Sequence, residues 1–124
     1  MSTNENRKVL VITGASTGIG EATAKRAVEA GWCVVLAARS AEKLQALESE
    51  LGTEKAMAVA CDVSSWTAQQ EMFGRVLERF GRFDAVFANA GFSKGSTFYG
   101  GEDRPGEWRE MVLTNVYGAA VTAR

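Results

Sequence analysis

From Lys8 onward, short apolar runs alternate with stretches in which apolar residues return every three or four positions. The runs predict four strands, Lys8–Thr13, Trp32–Ala38, Ala56–Cys61 and Phe83–Ala88. Each is apolar nearly throughout, as expected for strands covered on both faces. The intervening patterns predict helices over Ile19–Ala30, Ala41–Leu51 and Ser65–Phe80, with Leu44, Leu47 and Leu51 marking the second and Trp66, Phe73, Val76, Leu77 and Phe80 the third. Gly31, Gly52 and Gly81 directly follow these patterns, where a left-handed residue closes a last turn. Strands alternating with helices imply βαβ units and a parallel sheet. Right-handed crossovers and a chain that doubles back through its centre give the strand order 3-2-1-4, half of a doubly wound α/β sheet. Ligands then belong at the carboxyl ends of strands one and four, where the order reverses.

After the fourth strand come Gly91, Gly95, Gly100, Gly101 and the single proline, Pro105, then a helical pattern from Trp108 to the end. The loop reads equally as a mobile active-site segment or as a long surface connection.

With 124 residues, 46% hydrophobic and 23% charged, the chain is one globular domain by size and composition. Fourteen basic residues are scattered among 15 acidic ones, so no basic face for nucleic acid is expected. Met1–Asn6 is polar and no stretch is apolar enough to span a bilayer, which excludes a membrane partner and makes the cytoplasm the default location. Residues 1–7 read as a flexible tail and 8–124 as the folded domain. Cys33 and Cys61 fall near opposite ends of two different strands, so two buried thiols are expected rather than a disulfide. The chain has no histidine and no Cys-x-x-Cys, which excludes Ser-His-Asp and Cys-His chemistry and offers no metal site.

Chemistry concentrates where the first strand runs into Gly14, Gly18 and Gly20 and then a helix. Backbone N–H groups at a helix start lack intrahelical acceptors and carry partial positive charge, and glycine permits close approach, so this layout suits a dinucleotide pyrophosphate. A tight turn with no ligand is the plain alternative. A triphosphate loop would need Gly-Lys-Ser/Thr at the helix start, whereas Glu21 follows Gly20. Asn89 follows a buried strand at the expected crevice, where an amide must find partners. Asn115 stands mid-helix, an unfavourable place for Asn unless its side chain has a task or points to solvent.

The spacing Gly-x-x-x-Gly-x-Gly over Gly14–Gly20, Asp62-Val63 after the third strand, Asn89-Ala90-Gly91 after the fourth, and Asn115 together resemble the short-chain dehydrogenase/reductase family of NAD(P)-dependent oxidoreductases. The resemblance runs from Lys8 to Arg124 but corresponds to the amino-terminal half of a typical member. It implies a Rossmann-type fold and hydride transfer between a nicotinamide cofactor and a small-molecule carbonyl or alcohol. By the same resemblance, Ile19 and its neighbours contact the pyrophosphate through the backbone, and Ser16 or Thr17 lies near the adenosine ribose. Asp62 and Val63 receive the adenine edge, although an Asp at a strand end can equally form a capping turn for the next helix. Asn89, Ala90 and Gly91 brace the sheet and line the nicotinamide side, with Ala88 standing where the family has a further Asn. Asn115 orders a water in the proton relay, and a homo-dimer or homo-tetramer is implied.

The cofactor depends on the end of the second strand, where a carboxylate would bind the 2′-hydroxyl of NAD and repel the 2′-phosphate of NADP. Here Ala38 is followed by Arg39. A charge-assisted contact of about 1.5–3 kcal/mol favours NADP(H) roughly tenfold to hundredfold, with NAD(H) still possible. The competing expectation has Arg39 pointing into solvent near Glu42.

The family's proton-transferring Tyr-x-x-x-Lys is not matched: Asp103 stands four residues after Tyr99 and Val121 four after Tyr117. Three accounts follow: an oxidoreductase whose Ser, Tyr and Lys lie beyond Arg124; a non-catalytic NAD(P)-binding module or remnant; or a subunit that completes its sheet with a partner. The first is favoured, because a sheet ending at strand four leaves an apolar edge and the last helix has no stop signal. The 124 residues alone are then expected to be inactive.

Overall fold

Four strands, β1 (Val9–Thr13), β2 (Cys33–Ala38), β3 (Ala56–Ala60) and β4 (Ala85–Phe87), alternate with three helices, α1 (Gly18–Glu29), α2 (Ala41–Leu51) and α3 (Trp66–Phe80), in the computed structural model. The structure describes residues 7–91, 113–118 and 120. Most of the expected glycine-rich loop and of the helix from Trp108, Tyr99 included, lies outside them. Leu113–Gly118 forms a π-helical segment.

All strand pairs are parallel, in the order β3-β2-β1-β4, as the sequence pattern predicts. Val11 stands opposite Val35 on one side and Val86 on the other. Because side chains alternate along a strand, odd and even positions feed two separate cores. Val9, Val11, Val35, Met57 and Val59 pack with Met72 and Val76 of α3, while Ile12, Val34, Leu36 and Ala56 pack with Ala24 of α1 and Leu44 and Leu47 of α2. The sheet is therefore covered on both faces, which is why its strands read as continuous apolar runs.

The third helix departs from its expected face. Gln69, Met72 and Val76 are buried, whereas Trp66 and Leu77 are 41% and 49% exposed. Trp66 occupies the helix's first position, and Leu77 lies about 100° around the axis from Val76, off the stripe that meets the sheet. Ser65 starts α3 by accepting the Ala68 N–H at 3.1 Å, and Gly81, at φ 71°, ends it. The fourth strand is shorter than expected. Phe83 lies before it, tilted against Phe73 at 5.2 Å, and the Asp84 carboxylate takes the Val9 N–H at 2.8 Å.

β3 is the far edge. It pairs with β2, and the flanking residues extend the ladder, the Lys55 carbonyl accepting the Val34 N–H and the Cys61 N–H donating to the Ala38 carbonyl, while the outward Ala58 N–H donates to the Glu48 carboxylate at 2.6 Å. A carboxylate on that row of unpaired groups discourages strand addition. Cys33 and Cys61 are free and buried, and burial raises both thiols, Cys61 to about 11. Among the described residues, no helix is long and apolar enough to cross a membrane.

Candidate functional site

The strand order reverses at β1, so the carboxyl ends of β1 and β4 diverge into a crevice. The turn after β1 is held against the segment after β4 by Thr13, a buried residue whose hydroxyl accepts the N–H groups of both Asn89 and Ala90 at 3.0 Å. The Asn89 amide returns the contact by donating to the Gly14 carbonyl at 3.3 Å, and the Ala15 N–H reaches the Ala37 carbonyl of β2 at 3.1 Å. Asn89 thus ties the segment after β4 to the turn after β1, with Ala88 preceding it.

The three glycines have different duties. A Cβ on Gly14 (φ 68°) would meet the Ala90 Cα at 2.9 Å, and one on Gly20 would come within 2.2 Å of the Gly14 carbonyl oxygen and 2.9 Å of the Asn89 amide. These two let helix, turn and β4 segment close on each other. Gly18 (φ 59°) differs, since a Cβ there would meet nothing within 4 Å. Its positive φ favours glycine, and the space before it stays open at the amino end of α1. Thr17 precedes α1 as its N-cap with extended backbone and makes no side-chain capping bond, and Ile19 is 70% exposed. Glu21, in the same first turn, is paired with Lys25 at 3.3 Å. A group with negative charge would thus meet amide hydrogens, open space and a partly neutralised carboxylate.

A cleft of about 210 Å³ opens along the carboxyl ends, lined by Gly14, Ser16, Ala38, Arg39, Ser40, Cys61, Val63, Ala90, Gly91 and Thr114. Six of the residues expected to bind cofactor meet in this wall: Gly14, Ser16, Arg39, Val63, Ala90 and Gly91. Asn89 and Gly20 stand behind it, while Thr17, Gly18 and Ile19 sit at the exposed start of α1. Asn115 belongs to the Leu113–Gly118 segment by its backbone, and its side chain lies outside the described residues.

Arg39, at the carboxyl end of β2, lines this cleft. One guanidinium nitrogen, Nη2, lies 3.3 Å from Asp62 Oδ1 and 3.0 Å from Thr114 Oγ1. Asp62 Oδ1 also accepts from the Ser64 hydroxyl at 2.6 Å and the Ser64 N–H at 3.0 Å. These Ser64 bonds, with the Arg39 charge adding, hold the Asp62 carboxyl below the usual carboxylate range against the opposing effect of burial. Asp62 therefore forms a turn of its own, while Ser65 caps α3. Val63 is fixed from below by the buried Gln69, whose amide donates to the Val63 carbonyl at 2.6 Å.

Thr13, Ser40, Gln69 and Thr114 are the residues that sequence reasoning passed over. A polar residue in an otherwise apolar strand was a usable signal for Thr13, as was an amide on the helix face that packs against the sheet for Gln69. Ser40 and Thr114 carry no such mark.

Comparison with known proteins places this geometry. Residues 8–124 match the short chain dehydrogenase family. Meso-2,3-butanediol dehydrogenase from Serratia marcescens is 34% identical over 119 residues, covering 96% of this chain and 47% of that protein. An alcohol dehydrogenase from the archaeon Thermococcus sibiricus, solved with 5-hydroxy-NADP, superposes with a TM-score of 0.86 at 38% identity, over 94% of this chain and 50% of the other. A short chain dehydrogenase/reductase from Burkholderia phymatum, solved with NAD, gives 0.89 at 31% identity, over 98% and 43%. The chain spans about half the length of the curated relatives it matches. A glycine turn, a braced β4 segment and a parallel 3-2-1-4 sheet, matched over nearly every residue, make this chain a member of the short-chain dehydrogenase/reductase family, corresponding to its amino-terminal half.

Proposed function

We propose that residues 8–124 form the nucleotide-binding half of an NAD(P)-dependent oxidoreductase that moves a hydride between a nicotinamide cofactor and a small carbonyl or alcohol. The observation that carries this reading is the open space at Gly18 at the amino end of α1, together with a cleft that Gly14, Ser16 and Arg39 help to line. A pyrophosphate fits the first, because amide hydrogens without intrahelical acceptors face it and no side chain fills it. When bound, the nicotinamide supplies or accepts the hydride.

The roles of this chain's residues are binding and orientation. Backbone groups of Gly18, Ile19 and Gly20 hold the pyrophosphate, and Ser16 or Thr17 meets the adenosine ribose. Asp62 and Val63 receive the adenine edge, and Asn89, Ala90 and Gly91 support the nicotinamide side. Asn115 orders a water for proton transfer, and the tyrosine–lysine pair comes from outside these 124 residues. By resemblance to the family, the protein assembles as a homo-dimer or homo-tetramer, and the cytoplasm is its proposed location.

NADP(H) is the favoured cofactor, since β2 ends at Ala38 without a carboxylate and Arg39, the next residue, lines the cleft. Arg39 and Asp62 are each about half exposed, so their own pairing is weak and readily exchanged for a 2′-phosphate. Fluorescence titration of the full-length protein with NADPH and NADH tests both statements. Saturable binding of both, with NADPH tighter by about tenfold or more and the preference abolished in Arg39→Ala, is expected. No binding of either nucleotide would end the oxidoreductase reading, and an unchanged ratio in the variant would end the assignment of Arg39.

A further inference from the structure

Arg39 gains its position from a residue far away in sequence. Its Nη2 is shared between the Asp62 carboxylate and the Thr114 hydroxyl, which lies on the Leu113–Gly118 segment directly before Asn115. The two partners are unequal. Asp62 is about half exposed and keeps both Ser64 donors if Arg39 withdraws, so water or a ligand edge can replace the guanidinium. Thr114 is 5% exposed, and among the described residues the partner its hydroxyl meets is Arg39. A buried hydroxyl that loses its partner has no solvent to turn to.

We propose that Thr114 is a positioning residue for cofactor choice: its hydroxyl holds the Arg39 guanidinium at the cleft wall while Asp62 gives up its share to the entering adenine edge. Resting on the oxidoreductase reading above, the proposal adds a division of labour between the two anchors. Thr114 keeps the cation aimed at a 2′-phosphate, and Asp62 is the exchangeable contact. The preference for NADP over NAD thereby depends on a residue that need not touch either nucleotide.

The test measures the dissociation constants of NADPH and NADH for the full-length protein and for Thr114→Val, Thr114→Ser, Arg39→Ala and the Arg39→Ala/Thr114→Val double variant. Valine keeps the shape of threonine and removes the hydroxyl. It is expected to weaken NADPH about five- to tenfold and leave NADH within about twofold. Serine is expected to restore the wild-type ratio, and in the Arg39→Ala background the valine is expected to have no further effect on it. Equal weakening of both nucleotides by Thr114→Val, or an unchanged ratio where Arg39→Ala does change it, overturns the role of Thr114 alone. Failure of the wild type to bind either nucleotide overturns the oxidoreductase reading as well, and an Arg39→Ala ratio equal to wild type overturns the assignment of Arg39 and with it the role of Thr114. If the valine variant does not fold, the same ratio measured on Thr114→Ala decides.

Discussion

Substituting alanine at Gly20 and at Gly18, two positions apart, separates packing from binding. At Gly20 the new methyl would sit 2.2 Å from the Gly14 carbonyl oxygen and 2.9 Å from the Asn89 amide nitrogen. The first distance is more than an ångström inside ordinary contact, and the atom it meets is backbone. Relief requires α1 to move away from the turn, or the Gly14 carbonyl to turn aside at the expense of the bond it accepts from Asn89, now at 3.3 Å. Overpacking of this kind costs about 1–3 kcal/mol, here at the upper end, and alanine's better helix propensity returns about 1 kcal/mol. A net loss of about 2 kcal/mol lowers a urea midpoint by about 1 M for an m-value near the middle of the usual range. At Gly18 the methyl meets no protein atom, so the loss is about 1–2 kcal/mol from the left-handed backbone alone. The methyl would, however, stand in the open space assigned to the pyrophosphate. Urea unfolding and NADPH titration of both variants of the full-length protein check the contrast: Gly20→Ala is expected to be the less stable, and Gly18→Ala to lose at least about tenfold in affinity while remaining folded. A Gly20→Ala midpoint equal to wild type would refute the packing argument, and wild-type affinity in Gly18→Ala would refute the binding one.

Thr13→Val retains shape but strips the acceptor from the Asn89 and Ala90 N–H groups, so a stability loss of about 1–3 kcal/mol is expected in chemical denaturation. Asp84 is held below the usual carboxylate range first by its bond from Arg82 and then by the Val9 N–H. A carboxyl lowered in the folded state stabilises above its unfolded pKa, near 4, and that contribution is lost as pH falls through the folded value. Asp84→Asn should therefore cost stability at pH 7, with its stability curve meeting that of the wild type in acid; parallel curves down to about pH 2 would contradict this. Glu48→Ala leaves the outward Ala58 N–H without its carboxylate, and an increase in light scattering on concentration, with about 1 kcal/mol less stability, is the expected result.

The sequence by itself determined the secondary elements, the strand order and the place of the crevice, because each rests on local periodicity and on rules of chain connection that need no side-chain detail. β1 and β2 read as buried on both faces from their apolar runs alone, and the glycines marked the turn from β1 into α1. Only the tertiary structure decided how the three glycines divide their work, since Gly14 is required by backbone atoms of Ala90, 76 residues away, and Gly20 by the Gly14 carbonyl that the fold brings against α1. The same holds for the triangle of Arg39, Asp62 and Thr114, drawn from the ends of two strands and a distant helical segment. Periodicity shows which face of an element is buried. Which side chains meet across elements is set by packing in three dimensions.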